Sequence, residues 1–472
     1  MTRRSLPGIG AALAIILGSW VTIAASDWPQ WRGPQRSGVS AETGLLQQWP
    51  AEGPRLAWRI TNVGRGFSTP AVVGDRLYLL SSEGDENELV RAFSVSDGAL
   101  VWSTRIGRTG KPDQEPKFPT ARSTPTIEDG TLFAFGSDGD LAALDTGTGR
   151  VRWQKNVRQE FGGESGAWAY AESPLVDGNV VVVTPGGRSP MMAFDKRTGT
   201  VVWTTPAADY GSAAYSSIAM AQVGGVKQYI AYLEKGGVFG VDARTGSVLW
   251  RDTRLVQGCM LGFQTPIVSG DHVYTACNGA GGALTRLGLV DGRMTATPVY
   301  LKPLPGDKGG SVVVDGLIYS TNTQALVSAD FLTGDVKWRD RGVGVASITY
   351  ADGRLYVRGE SGQIALVEPS PEGYRERGRF MPAGQDEIPS FGAPPGADGA
   401  APGGRGPGGP GGPPPGGAGG RGPDGGRGPG GPGGGARGAF SPPIGAWPHP
   451  VVANGRLYLR YLGTLWSYDI RR

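Results

Sequence analysis

A glycine followed four residues later by a tryptophan recurs five times in this chain, at Gly98/Trp102, Gly149/Trp153, Gly199/Trp203, Gly246/Trp250 and Gly334/Trp338. A fixed spacing that returns every ~40 to 50 residues marks a repeated supersecondary unit, and a four-stranded propeller blade has that size. The clearest copy runs from Arg122 to Trp153. Its short first strand, Ser123–Ile127, meets a tight turn at Asp129-Gly130, where glycine accepts positive φ. Thr131–Phe135 alternates and suits a pleat. Ser137–Asp140 is a second turn, Leu141–Leu144 a third strand, and Asp145–Gly149 a third turn in which Asx and Thr side chains bond nearby amides. Arg150–Trp153 is the outer strand.

Six further copies follow with looser detail, and the fourth strand of the fifth is degraded near Met294–Tyr300. The last copy, HPVVANGRLYLRYLGTLWSYD, has three strands only. The missing strand is expected in Arg55–Ile60, which carries Trp58. Pairing that N-terminal strand with the last three closes the ring and removes two open sheet edges. The expectation is an all-β, eight-bladed β-propeller of four-stranded antiparallel blades. Trp58, Trp102, Trp153, Trp203, Trp250 and Trp338 are read as structural, wedged between blades with the indole N–H on a carbonyl. A hydroxyl column stands at the innermost strands: Thr69, Thr124, Ser173, Ser217, Thr265, Ser311 and Ser347, with His449 in the eighth place. Hydroxyls there are expected to satisfy neighbouring backbone groups.

Residues 1–26 carry Arg3 and Arg4, an apolar core and small residues at Ala24 and Ser26, the pattern of a signal peptide cleaved after Ser26. Thr2–Leu6 also matches a twin-arginine signal loosely, so both export routes stay open. Residues 27–472 are then one propeller domain, periplasmic or secreted, with no transmembrane segment once the signal is removed. The net charge of +4 includes Arg3 and Arg4, and residues 391–443 hold four arginines against two aspartates, which leaves the propeller near neutral. A nucleic-acid surface is therefore not expected. Residues 391–443 are almost wholly Gly, Pro, Ala and Arg and are read as a disordered insertion, since they cannot bury enough apolar surface to offset ordering.

Cys259 and Cys277 both belong to the fifth copy, on loops that hairpin topology puts at one rim. A disulfide is permitted in an exported chain, and two free thiols are the alternative. The histidines, His272 and His449, are isolated and make neither a zinc site nor a hydrolytic triad. The acidic loop Glu83, Asp85, Glu86 and Glu88 lacks the ordered calcium-loop spacing. No catalytic or metal residue is assigned.

The boxes LDTGTGRVRW, FDKRTGTVVW, VDARTGSVLW and ADFLTGDVKW resemble the pyrroloquinoline quinone (PQQ)-like propeller repeat of quinoprotein alcohol dehydrogenases and of the outer-membrane assembly factor BamB. The opening DWPQWRGPQRSGVS and the segment AESPLVDGNVVVVTPGG look like secreted PQQ-like proteins of unassigned function. The resemblance covers the mature chain outside 391–443 and implies fold rather than activity. A PQQ- and calcium-dependent dehydrogenase implies an adjacent cysteine pair, which this chain lacks, and there is no CxxCH haem motif. A BamB lipoprotein implies a lipid-anchored cysteine, which is also missing.

Loops entering the innermost strands gather at one mouth of a propeller channel, where ligands bind. They contribute Glu115, Lys117 and Arg122; Glu164, Trp168, Tyr170 and Glu172; Tyr210 and Tyr215; Gln257 and Gln264; and Lys308. Aromatics among both charge signs suit a sugar, a peptide or a protein partner. The leading reading is an exported monomer acting as a non-catalytic binding or scaffold protein through these loops, with a cell-envelope protein or a sugar as ligand. A PQQ-dependent dehydrogenase and a BamB-like assembly factor are the alternatives.

Overall fold

The computed structural model describes residues 26–110, 121–206, 209–307, 310–322, 325–386, 388 and 445–472. Met1–Pro382 with Ala446–Arg472 forms one unit, and Ala383–Gly445 is a separate one. The leader (1–25) and the 391–443 insertion lie outside the described residues.

The first unit is an all-β, eight-bladed propeller in which each blade is a four-stranded antiparallel sheet. Blade 2 is typical, with strands Thr126–Glu128, Thr131–Phe135, Asp140–Asp145 and Val151–Asn156 from the channel outward. Asp129 (φ 48°) and Gly130 (φ 69°) make its first hairpin. Seven blades are continuous in the chain; blade 8 combines Val451–Ala453, Arg456–Tyr461 and Thr464–Asp469 with the N-terminal Arg55–Ile60. Arg55–Ile60 pairs antiparallel with Thr464–Asp469, so the ring is closed by joining the two ends of the unit. The one helix among the described residues, Val157–Phe161, follows blade 2, capped by Asn156 Oδ1 accepting from Gln159 N–H at 2.8 Å and by Gly162 in the left-handed region. Among the described residues no helix is long and apolar enough to cross a membrane.

The Gly-to-Trp spacing has a two-sided cause. In its own blade Asp145 Oδ1 accepts from Thr148 N–H at 3.0 Å, Asp145 O accepts from Gly149 N–H at 2.8 Å, and Gly149 takes φ 72°. Across the interface the same glycine lies on the indole of the preceding blade: a Cβ at Gly149 would sit 2.6 Å from Trp102, and one at Gly199 2.7 Å from Trp153. Each indole then reaches a carbonyl of the following blade, Trp58 on Val95 (2.9 Å), Trp102 on Thr146 (2.9 Å), Trp153 on Lys196 (3.0 Å), Trp203 on Ala243 (3.2 Å) and Trp338 on Ser370 (2.7 Å). The box is thus a blade-to-blade joint. We expect Gly149→Ala to cost about 2 kcal/mol, because positive φ strain adds to overpacking against Trp102. Gly147→Ala, whose Cβ would meet only Asp145 Oδ1 at 3.5 Å, is the neutral control. Urea denaturation of both variants checks this, and equal midpoints would refute it.

Two positions depart from the pattern. The degraded fourth strand is a full one, Arg293–Lys302, and Tyr300 takes the tryptophan's place, its hydroxyl donating to Phe331 O at 3.0 Å beneath Gly334. Trp250 bonds inside its own blade, to Gln228 Oε1 at 2.5 Å, because blade 5 offers no Asp-Thr-Gly box to receive it.

The hydroxyl column links blades around the channel. Thr124 N–H donates to Ser173 Oγ (2.8 Å), Ser173 N–H to Ser217 Oγ (2.9 Å), Ser217 N–H to Thr265 Oγ1 (3.2 Å) and His449 N–H to Thr69 Oγ1 (3.1 Å). Onto this ring the N-terminal segment 27–40 is laid as a strap. Trp28 pairs with Val72, Pro29 O accepts from Ile127 N–H, and Arg36 donates to Ser173 O and Pro174 O. Trp31 Nε1 donates to Thr265 Oγ1 at 2.9 Å, Arg32 to Ser311 O, Gly38 O accepts from Tyr350 N–H, and Ser40 Oγ donates to Val452 O at 2.9 Å. The strap therefore touches seven of the eight blades, which explains the residue types of the DWPQWRGPQRSGVS box.

Candidate functional site

Loops entering the innermost strands of blades 2 to 5 bring together part of the expected set. Arg122 donates to Trp168 O, and Trp168 N–H donates to Tyr215 Oη at 3.1 Å. The Trp168 ring lies parallel to Phe263 (6°, centroids 6.5 Å apart), and Tyr215 completes the cluster at 5.8 Å from Trp168 and 5.5 Å from Phe263. Trp168 and Phe263 are half-buried, whereas Tyr215 is 9 % exposed. Ala169, beside Trp168, holds φ 65°, a strained value for a residue with a Cβ, and so turns the loop. Burial pushes the Arg122 guanidinium down to about 10, still fully charged at neutral pH.

The next loop is fixed covalently. Cys259 and Cys277 are disulfide-bonded with Cα atoms 5.4 Å apart, and Met260 between them and Phe263 is 67 % exposed. Gln257 is exposed on the same loop. A groove of about 830 Å³ runs between blades 3 and 4, lined by Glu164, Arg188, Tyr210, Lys235 and Arg251 among others. The Arg251 guanidinium covers the Tyr210 ring at 4.5 Å. Glu164 is exposed there.

The remaining expected residues are elsewhere. Tyr170 is 2 % exposed, with its hydroxyl on Pro185 O at 2.8 Å. Glu172 is 1 % exposed and accepts from the Thr184 amide (2.6 Å) and hydroxyl; burial pushes its carboxyl up to about 7. Gln264 is 3 % exposed and donates to Ser311 Oγ at 2.7 Å. Glu115, Lys117 and Lys308 lie outside the described residues. Phe263 and Met260 were not in the expected set; they flank Gln264 and Cys259, and an apolar residue on a loop is the signal that could have found them.

Two carboxylates of the acidic loop are held by arginines, Glu83 by Arg91 and Glu86 by Arg108 at 2.8 Å, while Glu88 is buried and accepts from the Ser137 amide and hydroxyl. Among the described residues no group of three metal-type ligands gathers. His272 Nδ1 sits on Asp271 at 2.7 Å, and His449 packs edge-on to Trp31 at 4.7 Å, so the histidines serve different contacts. A PQQ site does not fit the cysteines here, because the adjacent-cysteine ring of a quinoprotein cannot form from residues 18 positions apart joined across two loops.

A family model described as "Outer membrane protein assembly factor BamB" matches residues 34–168 and 86–340. Among curated relatives, BamB of Shewanella oneidensis is 26 % identical over 223 residues, 46 % of this chain and 51 % of that protein. BamB of Moranella endobia is 25 % identical over 265 residues, 55 % of this chain and 61 % of that protein. The chain thus spans between half and two thirds of the length of these relatives. The crystal structure of BamB from Moraxella catarrhalis superposes with a TM-score of 0.54 at 14 % identity, covering 88 % of this chain and 97 % of that one, a likeness of fold. With the repeat boxes, the closed eight-bladed ring and a family match over more than half of its length, the chain belongs to the PQQ-like β-propeller family of the outer-membrane protein assembly factor BamB.

Proposed function

We propose that this chain is a non-catalytic docking propeller of the cell envelope that serves outer-membrane protein assembly by holding a protein partner at the Trp168–Tyr215–Phe263 cluster. The observation that carries this reading is the half-buried aromatic cluster between a turned loop and a disulfide-bonded one. Rigid aromatics at the centre of a surface supply most binding energy at protein interfaces, and fixing their loops in advance lowers the entropy cost of association. Exposed Met260 adds an adaptable apolar contact at the edge.

The export reading supports a periplasmic or secreted location, and the names of the relatives support an outer-membrane assembly component as the partner class. Purification of the tagged chain from its own envelope under mild detergent is the test: barrel-assembly components are expected in the eluate. The double variant Trp168→Ala/Phe263→Ala is expected to weaken capture roughly 30-fold or more, as for truncated hot-spot aromatics, while the melting curve changes little because both rings are half-exposed. A clean eluate lacking such components refutes the partner class. Undiminished capture by the double variant refutes the site. Dye reduction after adding PQQ and calcium would refute the non-catalytic reading.

A further inference from the structure

Glu42, just beyond the strap, is 1 % exposed and accepts three main-chain N–H groups: Asn454 N to Oε1 at 2.7 Å, Gly455 N to Oε2 at 3.0 Å and Ser26 N to Oε1 at 2.7 Å. Among the described residues no Lys, Arg or His side chain stands within ion-pair distance of it. Desolvating a carboxylate without a counter-charge is costly, so a cation brought up to this one would be stabilising. Asn454 and Gly455 form the first hairpin turn of blade 8 and stay neutral amides. Ser26 differs: hydrolysis of the bond before it converts its N–H into an α-ammonium at the same place.

We infer that the chain is processed between Ala25 and Ser26, one residue before the cut expected from the leader pattern, and that the new Ser26 α-ammonium is the counter-ion of Glu42. Ala25 supplies the small residue that a signal peptidase needs before the cut. The peptidase adds water across the Ala25–Ser26 bond, leaving a carboxylate on Ala25 and an amine on Ser26 that takes up a proton at neutral pH. The pairing ties the start of the strap to blade 8, so processing finishes the closure that Arg55–Ile60 begins. The inference rests on the export reading given above.

The test is the intact mass and N-terminal sequence of the full chain recovered from an exporting bacterial host. Ser26 as first residue is expected. An exported protein that starts at Asp27, or anywhere else, overturns the inference and leaves export standing, whereas a chain kept unprocessed in the cytoplasm overturns both. A version that begins Met-Ala25-Ser26, made in the cytoplasm and then oxidised so that the Cys259–Cys277 disulfide forms, keeps an amide at position 26. It is expected to melt about 3 °C below the processed protein, a shift typical of one added favourable charge contact. Glu42→Gln is expected to abolish that difference; an undiminished difference in the Glu42→Gln pair overturns the pairing.

Discussion

Arg460→Ala is expected to destabilise the propeller by roughly 3–5 kcal/mol. Arg460 is fully buried in the second strand of blade 8. Its guanidinium donates to Leu80 O at 2.7 Å, Ser68 O at 2.9 Å, Gly64 O at 3.1 Å and Leu462 O at 3.2 Å. Three of those carbonyls belong to blade 1 or the segment leading into it, so this one side chain stitches the last blade to the first. Burial lowers its pKa to about 9, which leaves it charged at neutral pH. Alanine would take the arginine donor from three buried carbonyls and from the half-buried Gly64 O, and leave a cavity the size of the side chain beyond Cβ. Arg460→Met fills the volume without supplying donors and is expected to recover less than Arg460→Lys, which keeps the charge and one donor cluster. Equilibrium urea unfolding of the three variants decides it. A methionine variant as stable as the parent would mean that packing alone closes the ring at this seam.

The ring, its blade count and its closing strand were legible in the sequence because they rest on local rules that repeat: alternation, an Asp-x-x-Thr-Gly turn and a Trp four residues on. Repetition amplifies a weak signal, and Tyr300 could be missed without harm because the copies around it fixed the register. The strap was legible only as a family box, since its partners are spread over residues 72 to 452 and no local pattern encodes contacts at such separation. Arg460 was hidden for a related reason. In RLYLRY it shares the face of Tyr458, and only the burial of that tyrosine shows that the arginine also points inward. At the mouth, chain order grouped Arg122, Trp168 and Tyr215 correctly, because blade topology carries them there. It also swept in Tyr170 and Glu172, which sit one and three residues past the strained Ala169 and turn into blade 3 instead. Where a loop residue points depends on a single backbone angle that composition does not encode.

Burial of two glutamates, one of them brought in by that turn, creates a pH dependence. Glu88 and Glu172 are both buried, at 0 % and 1 % exposure. Burial raises each carboxyl to about 7, despite the Ser137 donors on Glu88 and the Thr184 donors on Glu172, which pull the other way. Unfolded glutamates titrate near 4.3. Between these values the folded state holds more protons than the unfolded state, so stability falls as pH rises. The contribution is fully present below about pH 4, where both states are protonated, and is lost as pH passes through 7. For a shift of this size each residue withdraws on the order of 3 kcal/mol by pH 8.5. Glu88→Gln removes the titration and keeps an acceptor for Ser137, at the cost of a new amide N–H where Oε1 now has no partner. The net expectation at pH 8.5 is therefore a gain of about 2 kcal/mol over the parent, shrinking to nothing or reversing at pH 5. Glu172→Gln should behave alike, and because Glu88 lies between blades 1 and 2 while Glu172 lies within blade 3, the two gains should add. Urea midpoints measured from pH 5 to 9 for the parent, each single variant and the double variant test this; parallel curves would show that these carboxyls titrate as ordinary glutamates.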